Sequence, residues 1–399
     1  MTPAAVADLY WDPFDKTIDT DPYPVWERMR AESPLYRNER FGFYALARHT
    51  DVDEAHRDAA TFSSAHGTVL EIMSPEPMPP VFLIFSDPPV HNMLRALVSR
   101  AFTPRRVARL EGHIRGLCAQ MLDPHVGGSG FDYVQDFAAQ LPSKVISELI
   151  GVDPADREEI RRTIDLTFHH DETAGMSNEI SRAATVKLKA YWHKQIEVRR
   201  RAPRDDMITG LAEAEIASED GPRRLTTDQA ATVAQEIVSA GTETVARLLG
   251  WFGSVLADHP DQRAELAANP ALAPNTVEEL MRYEAPSPVQ GRMTTREVEL
   301  HGVTIPAMSK VLLLTGSAGR DDRRYPDPDR FDIHRTFDSH VSFGHGIHFC
   351  LGAGLARLEA RVAIEETLRR FPAWDVDRDR AVRLHTSTVR GYESLPFVL

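Results

Sequence analysis

The sequence predicts a mainly helical fold with a few small β-sheets, organised around one unusually long helix. Helical patterns cover most of the 399 residues, one of them continues for about 30 residues, and apolar–polar alternation is confined to two short stretches. Because 42% of the residues are hydrophobic, the chain can bury a sizeable core, arranged as one large domain or as two.

The N-terminal part of the chain predicts short elements followed by a long loop. Residues 21–31 predict a short amphipathic helix, and residues 34–37 and 42–46 predict a β-hairpin. Residues 66–89 predict a loop because prolines interrupt them repeatedly, yet many of the other residues are apolar. Two interpretations of this loop remain open: a wall against an apolar ligand, or a connector packed into the core.

The long helix is predicted from its two ends. Thr226 and Gln229 form a capping-box pattern at its start, and Pro260 stops it. At 1.5 Å per residue, about 30 residues span on the order of 45 Å, which is enough to cross the molecule.

The remaining elements lie on either side of the long helix. Residues 90–200 are mostly helical with a glycine-rich turn at 127–130, and residues 202–223 predict a surface connection. Residues 292–314 predict a second β-rich region, with a turn at His301-Gly302, and residues 351–370 predict an amphipathic helix.

Charge and cysteine content exclude several classes of protein. A formal net charge of -13 disfavours general nucleic-acid binding. The two cysteines, Cys118 and Cys350, have no framework spacing and fit a reducing cytoplasm. No signal peptide is evident, and the longest apolar stretch, residues 248–257, is too short for a membrane anchor. Residues 169–172 contain two histidines and two acids but lack metal-ligand spacing, so they predict a solvated loop.

Cys350 ends a glycine-rich run and directly precedes the helix predicted for residues 351–370. A lone cysteine is usually a small buried hydrophobe, which is our interpretation of Cys118. At Cys350, however, Gly344 and Gly346 let the backbone approach a flat partner, and the start of a helix favours a thiolate. One thiolate without other ligands nearby in the sequence favours haem iron over zinc.

The middle of the long helix reads Ala240-Gly241-Thr242-Glu243-Thr244. Glycine in a helix interior costs about 1 kcal/mol relative to alanine, and threonine hydroxyls can bond back to carbonyls and bend the helix. The segment predicts a local opening with a hydroxyl and a carboxylate side by side, suited to binding dioxygen and delivering protons. The alternative, favoured on this segment alone, is a helix crossing that needs a small residue.

Two further sets of charged residues are uninformative by themselves. Glu279 matches a capping box with Thr276 and also forms an i, i+3 pair with Arg282, which on a surface contributes little. The second set consists of cations that suit an anion such as a propionate or phosphate: His91, Arg95, Arg292 and His348.

The combination of motifs is far more specific than any one of them. The motifs follow in chain order: Ala240-Gly241-x-Glu243-Thr244, Glu279-x-x-Arg282 and Phe343-x-x-Gly346-x-x-x-Cys350-x-Gly352. Together they resemble the soluble bacterial cytochromes P450, and residues 87–104, 326–332 and 390–396 extend the resemblance across nearly the whole chain. The resemblance implies a single cytochrome P450 domain over residues 1–399, with the long helix above a buried haem.

The resemblance also implies roles for individual residues. Cys350 matches the axial thiolate ligand of the haem iron, Phe343 would pack near the sulfur, and Gly352 would offer it a backbone N–H. Thr244 matches the hydroxyl that the family uses in oxygen activation, and Glu243 matches its acidic neighbour.

Charged residues around the haem receive roles in the same way. Glu279 and Arg282, with Arg330 as third member, resemble a structural triad beneath the haem. The positions that resemble haem-propionate ligands are His91, Arg95, Arg292 and His348.

The implied activity is that of a haem-thiolate monooxygenase. It would use haem b to insert one oxygen atom from O2 into a hydrophobic small molecule, by hydroxylation or dealkylation. No flavin or iron–sulfur motif is present, so a separate protein would supply the electrons. The resemblance implies a ferredoxin with an NAD(P)H-dependent reductase. Four arginines are either a basic docking patch for this donor or an ordinary solvated face: Arg100, Arg105, Arg106 and Arg357.

A different class of function remains open beside this one. The chain could be a non-catalytic haem-thiolate sensor or ligand-binding protein. Glu243 and Thr244 argue against this alternative, because a binding protein has no need for a proton relay.

Overall fold

The computed structural model describes residues 9–167, 178–216, 223–336 and 338–399, and these residues are mainly helical, as predicted. Their α-helices are α1 (Lys16–Thr20), α2 (Tyr23–Glu32), α3 (His49–Arg57), α4 (Val90–Ser99), α5 (Pro104–Ala108), α6 (Glu111–Leu122), α7 (Gln140–Ile150), α8 (Arg157–Thr167), α9 (Glu179–Arg201), α10 (Met207–Glu213), α11 (Thr227–Asp258), α12 (Pro260–Ala268), α13 (Ala273–Tyr283), α14 (Thr315–Ala318) and α15 (Ala353–Arg370).

The strands are short. They are β1 (Leu35–Asn38), β2 (Phe43–Leu46), β3 (Phe62–Ser63), β4 (Gly130–Asp132), β5 (Glu215–Ile216), β6 (Arg223–Arg224), β7 (Gln290–Thr294), β8 (Val298–Leu300), β9 (Val303–Ile305), β10 (Lys310–Leu313), β11 (Asp375–Val376), β12 (Val382–His385), β13 (Arg390–Ser394) and β14 (Pro396–Val398). The largest sheet has the order β1-β2-β10-β7-β3, in which β2 and β10 are parallel and the other pairs are antiparallel.

Helix α11 is the predicted long helix, and it packs against α7, α9 and α15. Its capping box is present, since the Gln229 N–H donates to Thr226 Oγ1 and the Thr226 N–H donates to Gln229 Oε1. A Cβ atom on Gly241 would lie 2.8 Å from Ile146 Cγ1 of α7. The helix crossing that needs a small residue is therefore confirmed at Gly241.

The C-terminal strand completes the core. Strand β14 pairs with β4 on one side and with β11 on the other. The Phe397 ring stacks on Tyr133 with centroids 4.3 Å apart and on Trp374 with centroids 5.0 Å apart. Three buried aromatic rings in one stack contribute a large apolar area to this part of the core.

Most predicted elements are confirmed. Strands β1 and β2 form the first hairpin, and β8 and β9 form the second. His301 and Gly302 both have positive φ, at 52° and 74°, as a tight hairpin turn between right-twisted strands requires. Helix α15 begins at Ala353, two residues later than the predicted start.

Other predictions change. Residues 202–223 are more than a surface connection, because α10 lies within them and its Ile208 and Leu211 are buried in the core. The solvated loop predicted for residues 169–172 lies outside the described residues. Among the described helices, none has the length and apolarity needed to cross a membrane.

The first half of the loop between β3 and α4 is a packed connector, with Leu70 and Met73 buried in the core. In its second half, Phe82 and Phe85 are half-buried and Ile84 is exposed. The interpretation of this half as a wall against an apolar ligand stays a prediction.

Candidate functional site

The loop before α15 is folded tightly around Cys350. The Cys350 N–H donates to Phe343 O at 2.9 Å, and Gly344 and Gly346 have φ of 66° and 68°. A Cβ atom on Gly346 would lie 2.6 Å from the backbone oxygen of His56 in α3. Glycine is therefore required at position 346 both by backbone conformation and by close packing.

The surroundings of the Cys350 thiol act on its pKa in two opposite directions. Burial raises the pKa of Cys350, whereas a hydrogen bond from the Gly352 N–H and the charges of Arg95 and Arg357 lower it. The start of α15 follows directly, and its unpaired N–H groups add positive potential. The thiol is half-buried and burial outweighs the other effects, so its pKa is raised and the thiolate needs a further positive partner.

A different part of the site lies on α11. Most of α11 is buried, but Ala240 is exposed and Thr244 is half-exposed. Thr244 Oγ1 donates to Ala240 O at 3.3 Å, and Thr242 Oγ1 donates to Val238 O at 2.8 Å. The threonines bond back as predicted, but the helix is continuous and the predicted opening is absent. Ala240 and Thr244 thus border open space beside a helix that is otherwise mostly buried.

Glu243 is buried on another side of the helix. Arg247 donates to its carboxylate from Nε at 2.8 Å and also from Nη2, and it donates further to Tyr392 O in β13. The prediction of a hydroxyl and a carboxylate side by side is therefore wrong in its geometry, since no hydrogen bond joins Glu243 to Thr244. The physical reason is that a buried carboxylate needs a countercharge, and Arg247 one turn away supplies it.

Helix α8 brings a second ion pair to the same region. Arg161 and Asp165 are 2.7 Å apart, and burial raises the pKa of Asp165 to about 6, with Arg161 lowering it and Glu243 raising it. Sequence analysis missed this acid, because only the packing of α8 against α11 brings it near Glu243.

Two arginines and two histidines come together beside the cysteine loop, and we call them the cation cluster: His91, Arg95, Arg292 and His348. The rings of His91 and His348 are 4.5 Å apart, and the Nε2 atoms of both are buried without a partner. Burial, together with the charges of Arg292, His91 and Arg95, lowers the pKa of His348 to about 3, so only the arginines are charged near neutral pH. These four residues are therefore close enough to act on one another.

No carboxylate forms an ion pair with this cluster within the described residues. Arg292 is only 4% exposed and donates a hydrogen bond to Gly291 O. Burial lowers its pKa to about 10, although the charge of Asp87 acts in the opposite direction. Arg95 is half-buried, and burial lowers its pKa too, although Cys350 raises it. Buried cations without a counterion are costly, so the cluster fits an anionic group with more than one carboxylate.

His56 of α3 is a neighbour that sequence analysis missed. It is buried, and neither ring nitrogen has a hydrogen-bond partner. Burial lowers its pKa well below the ordinary value, and the Arg292 charge acts in the same direction. The sequence holds no signal for His56, because it lies in a short helix far from the motifs and joins the site only through packing under Gly344.

The predicted triad is present, but its third member is different. Glu279 and Arg282 are fully buried and form two hydrogen bonds of 2.7 Å. Arg335 donates to Glu279 Oε1 at 3.1 Å, whereas the Arg330 side chain is exposed and contributes only its backbone oxygen. The capping-box interpretation is wrong, because α13 begins at Ala273 and places Glu279 in its interior.

The four candidate docking arginines separate into two kinds. Arg100, Arg105 and Arg106 are exposed, and no ion pair to them is found in the described parts of the chain. Arg357 instead binds Glu278 through two hydrogen bonds of 2.7 and 2.8 Å and lies over the Phe343 ring. Arg357 therefore supports the cysteine loop and is not a free surface charge.

Together these features fit a haem. The unpartnered Nε2 atoms of His91 and His348 and the unbalanced guanidinium of Arg292 suit its two propionates, and the exposed face of α11 leaves room for the macrocycle. Among the described residues, no group of three or more His, Cys, Asp or Glu side chains forms a metal cage, so Cys350 has no protein co-ligands there.

Comparison with known proteins gives the same picture. The family model "Cytochrome P450" matches residues 165–389. The chain is 40% identical to "Putative cytochrome P450 123" of Mycobacterium tuberculosis, over 98% of this chain and 96% of the relative. It is 38% identical to "Erythromycin C-12 hydroxylase" of Saccharopolyspora erythraea, over 92% of both chains.

Solved structures agree with the sequence relatives. The structure of cytochrome P450 CYP109Q5 from Chondromyces apiculatus superposes with a TM-score of 0.86 at 36% identity, covering 97% of both chains. The chain therefore belongs to the cytochrome P450 family, whose members of this kind are haem-containing monooxygenases, and its relatives are bacterial.

Proposed function

We propose that the protein is a haem b monooxygenase that oxidises a hydrophobic small molecule with electrons from a ferredoxin and an NAD(P)H-dependent reductase. The observation that carries this proposal is the charge imbalance of the site. Buried arginines without an ion pair among the described residues lie beside a thiol whose pKa burial raises, so both need a partner of the opposite charge. A haem, with two anionic propionates and an iron that takes a thiolate ligand, supplies both at once.

In this proposal each part of the chain has a separate task in holding the cofactor. Cys350 provides the axial ligand, and the cation cluster binds the propionates. The Gly352 N–H and Arg95 stabilise the thiolate, and Phe343 and Arg357 shield the loop that carries it. A haem with an axial thiolate supplies an iron centre that activates O2.

Proton delivery is assigned to α11 and α8. Thr244 presents its hydroxyl on the exposed face of α11, where it can hold a water or donate a hydrogen bond. Glu243 can relay a proton there once its carboxylate has left Arg247 and has accepted a proton. Asp165, with a pKa of about 6, can exchange protons with solvent near neutral pH and lies close to Glu243.

The electron donor is proposed from surface charge. Arg100, Arg105 and Arg106 form an exposed basic patch next to α5, which contacts α15 and so lies near Cys350. An acidic ferredoxin complements such a patch, and its reduction of the protein should slow as ionic strength rises.

The substrate is proposed only as a class. Relatives include "6-deoxyerythronolide B hydroxylase", and one neighbouring structure, of P450BioI, contains hexadec-9Z-enoic acid on acyl carrier protein. Together with the apolar loop residues 82–85, these names support a hydrophobic small molecule. We also propose that residues 1–399 form one such domain and that it acts in the cytoplasm, which its two free thiols support.

The proposal is tested by the coupling of oxygen use to product. Thr244→Ala should lower the oxygenated product formed per NAD(P)H by about tenfold, because the hydroxyl is lost from the exposed face of α11. Thr242→Ala is the matched control, since Thr242 is buried and bonds only within the helix. Product yield is measured by mass spectrometry with purified ferredoxin and reductase.

The sensor alternative makes a different prediction in the same experiment. If ligands shift the absorption spectrum but a broad hydrophobic library gives no oxygenated product, the monooxygenase proposal is wrong. Equal coupling in the Thr244→Ala and Thr242→Ala variants would remove Thr244 from the proton route.

A further inference from the structure

The second half of the loop before α4 ends in a compact turn, residues 82–86. Ser86 Oγ donates to Phe82 O at 2.5 Å, and the rings of Phe82 and Phe85 are 5.3 Å apart. The backbone N–H groups of Leu83 and Ile84 both point out of this turn. They donate to the carboxylate of Glu236 at 2.7 and 2.6 Å.

Glu236 belongs to the exposed face of α11. It precedes Ala240 by four residues and Thr244 by eight, so the three share one side of the helix. At 1.5 Å per residue, Glu236 lies about 12 Å from Thr244 along the helix axis. The 82–86 turn is thus fixed against the same side of α11 as the proposed oxygen site.

The two ends of this loop are held differently. Its first half is fixed by the buried Leu70 and Met73 and by a hydrogen bond of 2.6 Å from Ser387 to Glu71. Residues 75–77 and 79–80 are exposed, so the stretch before the 82–86 turn gives it no support from the core. Leu83 packs against the core and Asp87 anchors the end of the turn to Ser63 and Ser64, while the two bonds to Glu236 fix the turn to α11.

We propose that Glu236 is a positioning residue that holds the 82–86 turn as a wall of the substrate cavity and controls how fast hydrophobic ligands enter. The inference rests on the proposed function for the identity of the ligand, but the attachment of the turn is a property of the protein alone. Loss of both bonds leaves two N–H groups without a partner and releases the wall.

The attachment depends on pH in a defined direction. Burial raises the pKa of Glu236 to about 7, although the N–H groups of Ile84 and Leu83 lower it. When the turn opens, the carboxyl is solvated and its pKa returns towards the ordinary glutamate value of 4.5. The closed form binds the proton more tightly, so acid favours closure, and closure weakens as pH rises from about 4.5 to about 7.

Other charged groups near this part of α11 are engaged elsewhere. Burial and the N–H groups of Ile84 and Leu83 act on the pKa of Glu236, and no charged side chain of the described residues contributes to its change. On α8, Asp165 pairs with Arg161, and Asp228 of α11 pairs with Lys189 and His193 of α9. In the loop before α4, Glu71 accepts from Ser387, His66 bonds to Ser74 O, and Asp87 accepts from Ser63 and Ser64.

The test is hydrogen exchange of the Leu83 and Ile84 amides in the holoprotein between pH 5 and 8, corrected for intrinsic exchange. In the wild type, protection should fall by up to about 100-fold over this range. Glu236→Gln, which is neutral like the protonated acid, should show protection that does not change with pH. Glu236→Leu should lose at least about tenfold protection at pH 5.

The matched control is Glu71→Gln, because an amide oxygen can still accept the hydroxyl of Ser387 and the wild-type behaviour should persist. The association rate of 1-phenylimidazole, followed by its spectral shift, should rise several-fold in Glu236→Leu. Wild-type protection in Glu236→Leu, or a retained pH dependence in Glu236→Gln, would overturn the inference. Absence of oxygenated product would contradict the proposed function and leave these exchange results unaffected.

Discussion

The cation cluster and the Glu243–Arg247 pair are two buried charged groups of one site, and they differ in charge balance. In the pair, the carboxylate and the guanidinium satisfy each other and Arg247 uses a further donor on Tyr392 O. In the cluster, His91 and His348 keep unpartnered nitrogens and Arg292 has no ion pair in the described chain.

Charge balance therefore distinguishes groups that stabilise the fold from groups that bind a ligand. A balanced pair is complete within the polypeptide, so its removal costs folding free energy. An unbalanced cluster costs folding free energy while it is empty and recovers it when an anion binds. The three predictions that follow test this distinction and its centre, Cys350.

The largest expected effect is at Cys350. Cys350→Ser should abolish the red-shifted absorption band that thiolate-ligated haem gives after reduction and treatment with carbon monoxide, because a serine hydroxyl does not replace the thiolate. Cys118→Ser is the control, since Cys118 is buried in the core and far from this chemistry. Retention of the band in Cys350→Ser would remove Cys350 as the ligand.

The balanced pair should respond in folding stability. Arg247→Leu leaves the carboxylate of Glu243 buried without its countercharge and should lower the free energy of unfolding by about 3–5 kcal/mol. The double variant Glu243→Gln with Arg247→Leu should regain part of this loss in urea unfolding, and simple additivity of the two changes would contradict the balanced-pair interpretation.

The unbalanced cluster should respond in the opposite sense. Arg292→Leu removes a buried charge without a counterion, so the haem-free protein should keep its stability or gain some. Haem should nevertheless dissociate about 10–100-fold faster, because one charge-assisted contact to a propionate is lost. Transfer of haem to apomyoglobin measures this rate. Arg296→Leu is the control, since Arg296 is largely exposed. Equal haem dissociation rates in the two variants would contradict the assignment of Arg292 to a propionate.

Sequence reasoning succeeded where chemistry is carried by consecutive residues. The glycines around Cys350, the capping box at Thr226 and the hairpin turn at His301 depend on local backbone geometry, which short motifs encode. It failed where a partner comes from a distant element. Arg335, and not Arg330, donates to the Glu279 carboxylate. The two arginines are close in sequence, and only the fold decides which of them reaches Glu279.

The site shows the same division. Ala240 to Thr244 predicts which residues belong to the oxygen side, but not that Glu243 faces Arg247, because the direction of a side chain depends on what packs around the helix. His56 and Glu236 carried no motif at all. They contribute through a ring packed under Gly344 and through two bonds to a loop, and both contacts exist only after the chain has folded.

Strand β14 has a consequence for the order of events during protein synthesis. Its pairing with β4 and the stack of Phe397 on Tyr133 join residues 396–398 to residues 130–133 in the first half of the chain. A ribosome-bound chain therefore holds β4 and Tyr133 without these partners until Phe397 has been added. Apolar surface around Tyr133 stays uncovered by β14 over that interval, and exposed surface of this kind favours aggregation and chaperone binding.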